Sequence, residues 1–196
     1  MTPEEKSTLV ERASKLRERF EHNLLEIDRS ELKRQLRKLE GDGVADDMLD
    51  YRVAKLIEIE ILRQLRAFQD ELLKFLATEE FDSSFVTIVT TNIDLQSLSE
   101  RLSSFYDEFH RLAAKTSEHR TSFTGTVPEG HFDDRIEFYF EMTALDRELH
   151  RTSEYLSEIS SKLRAYRTQI WQFRGIVISI GILIAGAVTL IVSALS

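Results

Sequence analysis

The sequence predicts an all-α protein, an antiparallel bundle of about four long helices whose last helix continues into a single C-terminal transmembrane helix. Three observations support this fold class. Helix breakers are scarce, because the 196 residues include only two prolines and seven glycines. Apolar residues recur at steps of three and four, which is the period of an amphipathic helix. All 60 charged residues precede residue 175, and the 22 residues from there onward carry no charge.

The first helix is predicted over residues 3–40, and a capping pattern marks its start. Thr2 can cap the helix, Pro3 suits the first helical position, and Glu5 stands where a capping box needs an acid. Apolar residues follow at helical spacing, but their phase slips near Ser30. We therefore expect one helix with a kink at that point.

The second helix is predicted over residues 46–79, after a turn at Gly41 and Gly43. Asp46 or Asp47 can cap it. Its apolar residues cover more of the helix circumference than those of the other helices. Because such a helix must be buried on several sides, we expect it at the centre of the bundle.

The third helix is predicted over residues 83–119, although its beginning is ambiguous. Residues 85–93 are rich in β-branched types and favour a strand by propensity. A strand needs a partner, and the sequence contains no second run of this kind. We therefore expect a helix here, followed by a loop over residues 120–132.

The fourth helix is predicted over residues 133–173, where apolar residues alternate in steps of four and three around Thr152. This heptad seam consists of Phe138, Met142, Leu145, Leu149, Leu156, Ile159, Leu163, Tyr166, Ile170 and Phe173. A sustained seven-residue repeat predicts coiled-coil-like packing. Two arrangements remain open at this point. The seam can dock on the three preceding helices, or its membrane-proximal heptads can pair with a second chain.

Residues 175–195 are predicted to cross a membrane once. Twenty-one residues of helix measure about 31 Å, close to the roughly 30 Å of hydrocarbon in a bilayer. The membrane-interface flank that precedes them consists of Lys162, Arg164, Arg167, Trp171 and Arg174. Because basic residues concentrate on the cytoplasmic side of a span, we expect a C-terminal tail anchor with a cytoplasmic body. The membrane would be the plasma membrane if the protein is prokaryotic.

Small residues recur on one face of this predicted span. They are Gly175, Ser179, Gly186 and Ser193. Small side chains allow two helices to approach closely in lipid, so this face predicts self-association within the membrane.

The charge distribution excludes one large class of partners. Net charge is −8, and residues 159–196 contain four basic side chains and no acid, so the first 158 residues carry −12. Nucleic-acid binding through phosphate contacts needs clustered Lys and Arg, which this acidic body lacks. We therefore expect no nucleic-acid partner.

The sequence contains no pattern typical of a catalytic, cofactor or metal site. Cysteine is absent, which excludes disulfides and thiolate ligands. None of the five histidines belongs to a His-x-x-x-His pair, and no glycine-rich phosphate loop or Gly-x-Ser-x-Gly motif occurs. We expect a protein that is not an enzyme and that uses no cofactor.

The predicted organisation is a three-helix region (1–119), a loop (120–132), a juxtamembrane heptad helix (133–173) and a membrane anchor (174–196). This order of parts resembles that of syntaxin-type SNARE proteins, and the likeness is confined to architecture. SNARE motifs carry Gln or Arg in their middle layer, where this seam has Thr152. We expect a scaffold or recruitment module at a lipid bilayer that self-associates or binds a helical partner. The alternative is SNARE-like membrane tethering or remodelling.

Overall fold

A computed structural model describes residues 3–20, 23–41, 43–77, 95–123 and 132–195. The described residues form five α-helices, which are α1 (Pro3–Arg19), α2 (Arg29–Glu40), α3 (Asp46–Leu76), α4 (Leu95–Phe123) and α5 (Phe132–Leu195). A short 3-10 turn, Leu24–Glu26, stands between α1 and α2. No residue in these ranges belongs to a strand. The all-α class predicted from the sequence is therefore confirmed for the described residues.

The prediction of a single kinked helix over residues 3–40 is wrong, because the described residues form two helices there. The break extends over the residues between Arg19 and Arg29, ahead of the expected kink at Ser30. Asp28 caps α2, and its carboxylate accepts a hydrogen bond of 2.8 Å from the backbone N–H of Ser30. A side chain that bonds to nearby backbone competes with helix continuation, which explains why the chain starts a new helix at this point.

One apolar cluster joins the break to the helices on either side of it. The cluster consists of Leu9, Ala13, Leu16, Leu24, Leu32, Leu36, Leu49, Val53 and Leu56. Its members come from α1, the 3-10 turn, α2 and the first half of α3.

Gly41 ends α2 with a positive φ of 86°, a conformation that favours glycine.

The third helix, α3, begins at Asp46, one of the two residues predicted to cap it. Every residue from Tyr51 to Ile61 is buried or half-buried, so this part of α3 is covered on all sides. This pattern agrees with the wide apolar face predicted for the helix. Leu73 is an exception, because it is exposed although it belongs to the predicted apolar face.

The predicted helix and loop boundaries after α3 are tested only in part. The β-branched run 85–93 lies outside the described residues. The helix α4 continues to Phe123, so the first residues of the predicted loop 120–132 are helical. The last helix, α5, is continuous from Phe132 to Leu195, which joins the predicted heptad helix and the predicted span in one element.

The chain divides into two compact units. The first unit comprises Met1–Glu71 and Asp107–Glu154, and the second comprises Leu72–Tyr106 and Tyr155–Ser196. The first unit contains α1, α2, most of α3, the latter part of α4 and the first part of α5, and the second contains the end of α3, the first part of α4 and the rest of α5.

The heptad seam of α5 faces protein in both units. Met142, Leu145, Leu156, Ile159, Tyr166 and Ile170 are buried, as is Thr152, and Leu149, Leu163 and Phe173 are half-buried. The side chain of Phe138 lies outside the described part of the structure. Residues between the seam positions are mostly exposed. A single copy of the chain is therefore enough to cover the seam.

Replacing Leu156 by Asn is expected to lower the free energy of unfolding by about 2–5 kcal/mol. The Leu156 side chain is only 1% exposed, so the change removes buried apolar contacts and leaves an amide in their place. Thermal unfolding of the full chain in neutral detergent, followed by circular dichroism, measures the effect. The neighbouring Ser157 is exposed, and Ser157→Asn should leave the melting temperature unchanged. Equal melting temperatures for the two variants would contradict the burial of the seam.

Candidate functional site

The clearest functional feature is the end of α5, where the helix becomes apolar on all sides. Ile182, Leu183 and Ile184 are consecutive and all exposed, although a water-soluble helix would bury at least one of them. The large exposed apolar side chains of this region are Ile176, Val177, Ile178, Ile180, Ile182, Leu183, Ile184 and Val188. Apolar surface that is continuous around a helix indicates a site of contact with lipid or with other protein.

Among the described residues, α5 is the one helix long and apolar enough to cross a membrane. Its most apolar stretch has a mean hydropathy of 1.7, and only 6% of that stretch is buried. Low burial distinguishes it from a core helix of a soluble protein, which has a similar composition but is covered by its own chain.

The predicted small-residue face of the span is open. A β-carbon placed on Gly175 or Gly186 would meet no atom of another part of the described chain within 4 Å. The hydroxyl of Ser179 donates a hydrogen bond of 2.9 Å to the carbonyl of Gly175, so it is satisfied within the helix. The side chain of Ser193 lies outside the described part of the structure. A second helix can therefore approach the described members of this face without displacing any part of this chain.

The five residues of the membrane-interface flank differ in their partners. Lys162 pairs with Glu158, with 3.5 Å between Nζ and Oε1. Arg164, Arg167 and Arg174 are exposed, and none of the three forms an ion pair within the described ranges. This sets them apart from the arginines of α1, α2 and α3, most of which pair with acids. Trp171 is 62% exposed.

These unpaired arginines line a cavity in the second unit, which we call the arginine cavity. Its volume is about 470 Å³, and it lies between α4 and α5. Arg164, Arg167, Trp171 and Arg174 form its α5 wall together with Leu163 and Ile170. The α4 wall includes Ser99 and Leu102. The cavity therefore combines positive charge with apolar surface directly before the apolar end of α5.

Burial of charged residues is the main feature of the first unit. Lys55 of α3 is 1% exposed, and its ammonium lies 3.4 Å from the carboxylate of Glu58 and forms a second ion pair with Glu141 of α5. Burying an ammonium group is costly unless acids surround it, and here two do. This buried ion pair links α3 to α5.

A second buried acid, Glu60, links α3 to α1. Burial raises the pKa of this carboxyl, but hydrogen bonds from Arg63, Gln64 and Arg17 outweigh that effect, so its pKa lies below the ordinary value. The bond from Arg17 measures 3.0 Å. Glu58 and Glu60 therefore have different cationic partners, Lys55 for the first and Arg17 and Arg63 for the second.

The centre of the seam is polar and is matched by a polar residue of α3. The side-chain amide of Gln69 lies 3.0 Å from the hydroxyl of Thr152 and 3.1 Å from the carbonyl of Glu148. The Thr152 hydroxyl in turn donates to the Glu148 carbonyl at 2.7 Å. Because both Gln69 and Thr152 are buried, this set of bonds selects one alignment of α5 against α3.

A second cavity, the His119 cavity, lies in the first unit and has a volume of about 350 Å³. Arg29, Lys115 and Glu118 line it together with His119 and the leucines of the 3-10 turn. Burial, together with the positive charges of Arg29 and Lys55, lowers the pKa of His119 to about 4. The imidazole is therefore neutral at pH 7.

The described residues include no group of three or more His, Asp or Glu side chains arranged to hold a metal ion. Comparison of the chain with protein-family models, with curated proteins and with solved structures finds no match. The functional proposals below therefore rest on the residues and contacts of this chain alone.

Sequence reasoning missed the buried charges and both cavities. In the sequence, Glu58 and Glu60 stand out only as interruptions of an apolar stretch, and neither Lys55 nor Gln69 stands out at all. One signal in the sequence could have indicated the buried charges, namely the density of apolar residues around them. A helix so rich in apolar residues is buried on all sides, and a charged residue inside it must find a buried partner. The arginines were identified as a membrane flank, but the cavity depends on α4, which is remote in sequence.

We expect the stability of the protein to fall as the pH is lowered from about 6.5 to about 4, in part because of His119. Above this range the imidazole is neutral in both the folded and the unfolded chain. Within this range, the unfolded chain binds a proton that the folded chain does not. The free energy of unfolding therefore falls, by about 3 kcal/mol once the pH lies below the His119 pKa of both the unfolded and the folded chain. Chemical denaturation at several pH values measures the change.

The variant His119→Gln removes this titration, so its unfolding free energy should vary less with pH across the same range than that of the wild type. His110 is an exposed residue of the same helix, and His110→Gln should keep the wild-type pH dependence. An identical pH dependence for His119→Gln and the wild type would show that His119 is not kept neutral by folding.

Proposed function

We propose that this protein is a membrane-anchored helical module without enzymatic activity, which holds an acidic helical body at a bilayer and serves there as a scaffold or recruitment platform. One observation carries the proposal. The exposed apolar run of α5 is continuous with the part of the same helix whose seam is buried in the body.

The energetics favour insertion of this run into lipid. Residues 175–195 include twelve Ile, Leu and Val side chains and no charge. Each such side chain favours insertion of a helix by about 0.3–0.6 kcal/mol, so together they contribute several kcal/mol. Backbone groups add no penalty, because a continuous helix satisfies its own hydrogen bonds within the bilayer.

The membrane-interface flank supports an orientation with the body on the cytoplasmic side. Arg164, Arg167 and Arg174 precede the span, and no acid occurs from residue 159 onward. Basic residues next to a span are retained on the cytoplasmic side. Trp171 lies one helical turn before the span, at the level where tryptophans favour the membrane interface.

Self-association through the span completes the proposal. Because the described part of the heptad seam is buried against its own chain, we expect a second copy to bind the small-residue face of the span, which is open at its described members. The burial of the seam also weighs against SNARE-like tethering. Zippering with a partner would have to expose residues such as Leu156 and Ile159, which are now buried.

Replacing Leu183 by Arg should prevent stable membrane insertion. Leu183 is 73% exposed and lies near the middle of the proposed span, where an arginine costs about 2.5–3.5 kcal/mol. Extraction of membranes with alkaline carbonate measures the outcome, because integral proteins stay in the pellet. We expect wild type and Leu183→Met in the pellet and a large share of Leu183→Arg in the supernatant. Release of the wild type into the supernatant would refute the anchoring role.

Replacing Gly186 by Ile should weaken self-association in the bilayer. A β-branched side chain at this open position would keep two helices apart on the small-residue face. Crosslinking of the full chain in neutral lipid vesicles, at several protein-to-lipid ratios, measures the dimer fraction. Ala187→Ile adds similar bulk on a different face and should preserve the dimer. A wild-type protein that is monomeric at all ratios would exclude self-association.

A further inference from the structure

We propose that the arginine cavity binds the phosphate-bearing headgroup of an anionic phospholipid from the leaflet that α5 enters. The inference rests on the proposed membrane anchoring, since it requires the apolar run of α5 to lie in a bilayer. It adds a defined binding site for one chemical class of ligand to what would otherwise be a passive anchor.

The positive groups of the cavity share one face of α5. Arg164, Arg167, Trp171 and Arg174 follow one another at steps of three, four and three, and such steps align side chains along a helix. All four line the cavity. The opposite wall, on α4, contributes the hydroxyl of Ser99. Three arginines, a tryptophan and a serine therefore line one space, and each of these side chains carries a group that can donate a hydrogen bond.

Among the described residues, no acid compensates the charge of the cavity. None of its three arginines has an acidic partner in the part of the chain that the structure describes. Guanidinium groups are planar and present paired donors that match the oxygens of a phosphate. An exposed arginine can simply be solvated by water, but three on one wall of a cavity form a concentrated positive field. A phosphate diester complements both their charge and their geometry.

The position of the cavity along α5 matches a lipid headgroup. Arg174 is the last residue before the apolar run, and Arg167 and Arg164 precede the run by about 12 and 16 Å along the helix axis. The headgroup layer of a bilayer extends roughly 5–8 Å beyond the hydrocarbon on each side. The cavity thus begins within this layer, where the lipid phosphate lies level with Arg174 and Trp171. It continues outward beyond the layer to Arg167 and Arg164, where the polar substituent of a headgroup extends. The acyl chains remain in the hydrocarbon.

A lipid is favoured over a free phosphate compound because it is held in the same bilayer as the protein. Confinement to the membrane plane raises the effective concentration of the headgroup at the cavity without any additional contact. The negative potential of an anionic leaflet acts on the flank in the same direction.

The single tryptophan of the chain makes the proposal directly testable, because Trp171 lines the cavity and is the only source of indole fluorescence. The full chain is reconstituted in phosphatidylcholine vesicles that contain increasing fractions of phosphatidylglycerol. We expect a saturable change in Trp171 emission, complete at a modest fraction of the anionic lipid. A linear change without saturation would overturn the proposal.

Three variants separate a defined site from general attraction to a charged surface. Arg167→Gln should weaken the apparent affinity for phosphatidylglycerol, measured from the saturation of Trp171 emission, by about tenfold or more. This is the loss expected for one charge-assisted hydrogen-bonding group. Lys162→Gln removes the same charge from a residue that pairs with Glu158 and lies outside the cavity wall, and should change the response less than about twofold. Ser99→Phe fills the cavity without changing its charge and should also abolish saturation. Circular dichroism confirms that each variant is folded.

Three further outcomes would overturn the inference. Equal losses for Arg167→Gln and Lys162→Gln, with a normal response for Ser99→Phe, would indicate diffuse surface attraction and no site. The same emission change on adding glycerol phosphate to the protein in neutral detergent, at the concentration of lipid used, would identify a soluble ligand. Sedimentation with pure phosphatidylcholine vesicles tests anchoring separately, so a protein that sediments but does not respond to phosphatidylglycerol refutes the lipid site alone.

Discussion

The change of surroundings along α5 is the constraint on which the rest of the structure depends. Up to Ile170 the helix presents a seven-residue repeat of apolar side chains, and the body of the protein covers them. Beyond Arg174 the apolar side chains point in all directions, and no part of the chain covers those that are described. A repeat on one face suits protein packing, whereas an apolar surface on all faces suits a solvent of hydrocarbon. The flank and the arginine cavity lie where the helix passes from one environment to the other.

Inside the body, α3 determines how the other helices of the first unit are held. Its apolar residues form the core with α1 and α2, and its buried polar residues bind specific partners on α1 and α5. Buried charges such as Lys55 and Glu60 are costly, and each is tolerated only because opposite charges and hydrogen bonds meet it in the folded state. Burial and the positive charges of Arg29 and Lys55 together lower the pKa of His119, so the first unit also contains a group that makes folding sensitive to acid.

Helix content followed from the pattern of apolar residues and from the scarcity of breakers, and the predicted start of α3 near Asp46 agrees with the helix bounds in the structure. The division of residues 3–40 into two helices could not be predicted in the same way. The phase slip near Ser30 is compatible with a kinked helix and with two separate helices. The choice between them depends on the burial of Leu24 and Leu25 in the core between the helices. The buried charges of α3 were also beyond reach, because a partner such as Glu141 is remote in sequence.

By itself, the sequence determined the helical class, the segment that can cross a membrane and the basic flank beside it. Each depends on residues that are close together in the chain, where helical periodicity and net charge are local properties. Only the tertiary structure decided that the seam of α5 is covered by its own chain, that Lys55 and Gln69 bond to α5, and that α4 turns the flank into a cavity. These outcomes depend on which distant segments meet, and that is set by the packing of whole helices against one another.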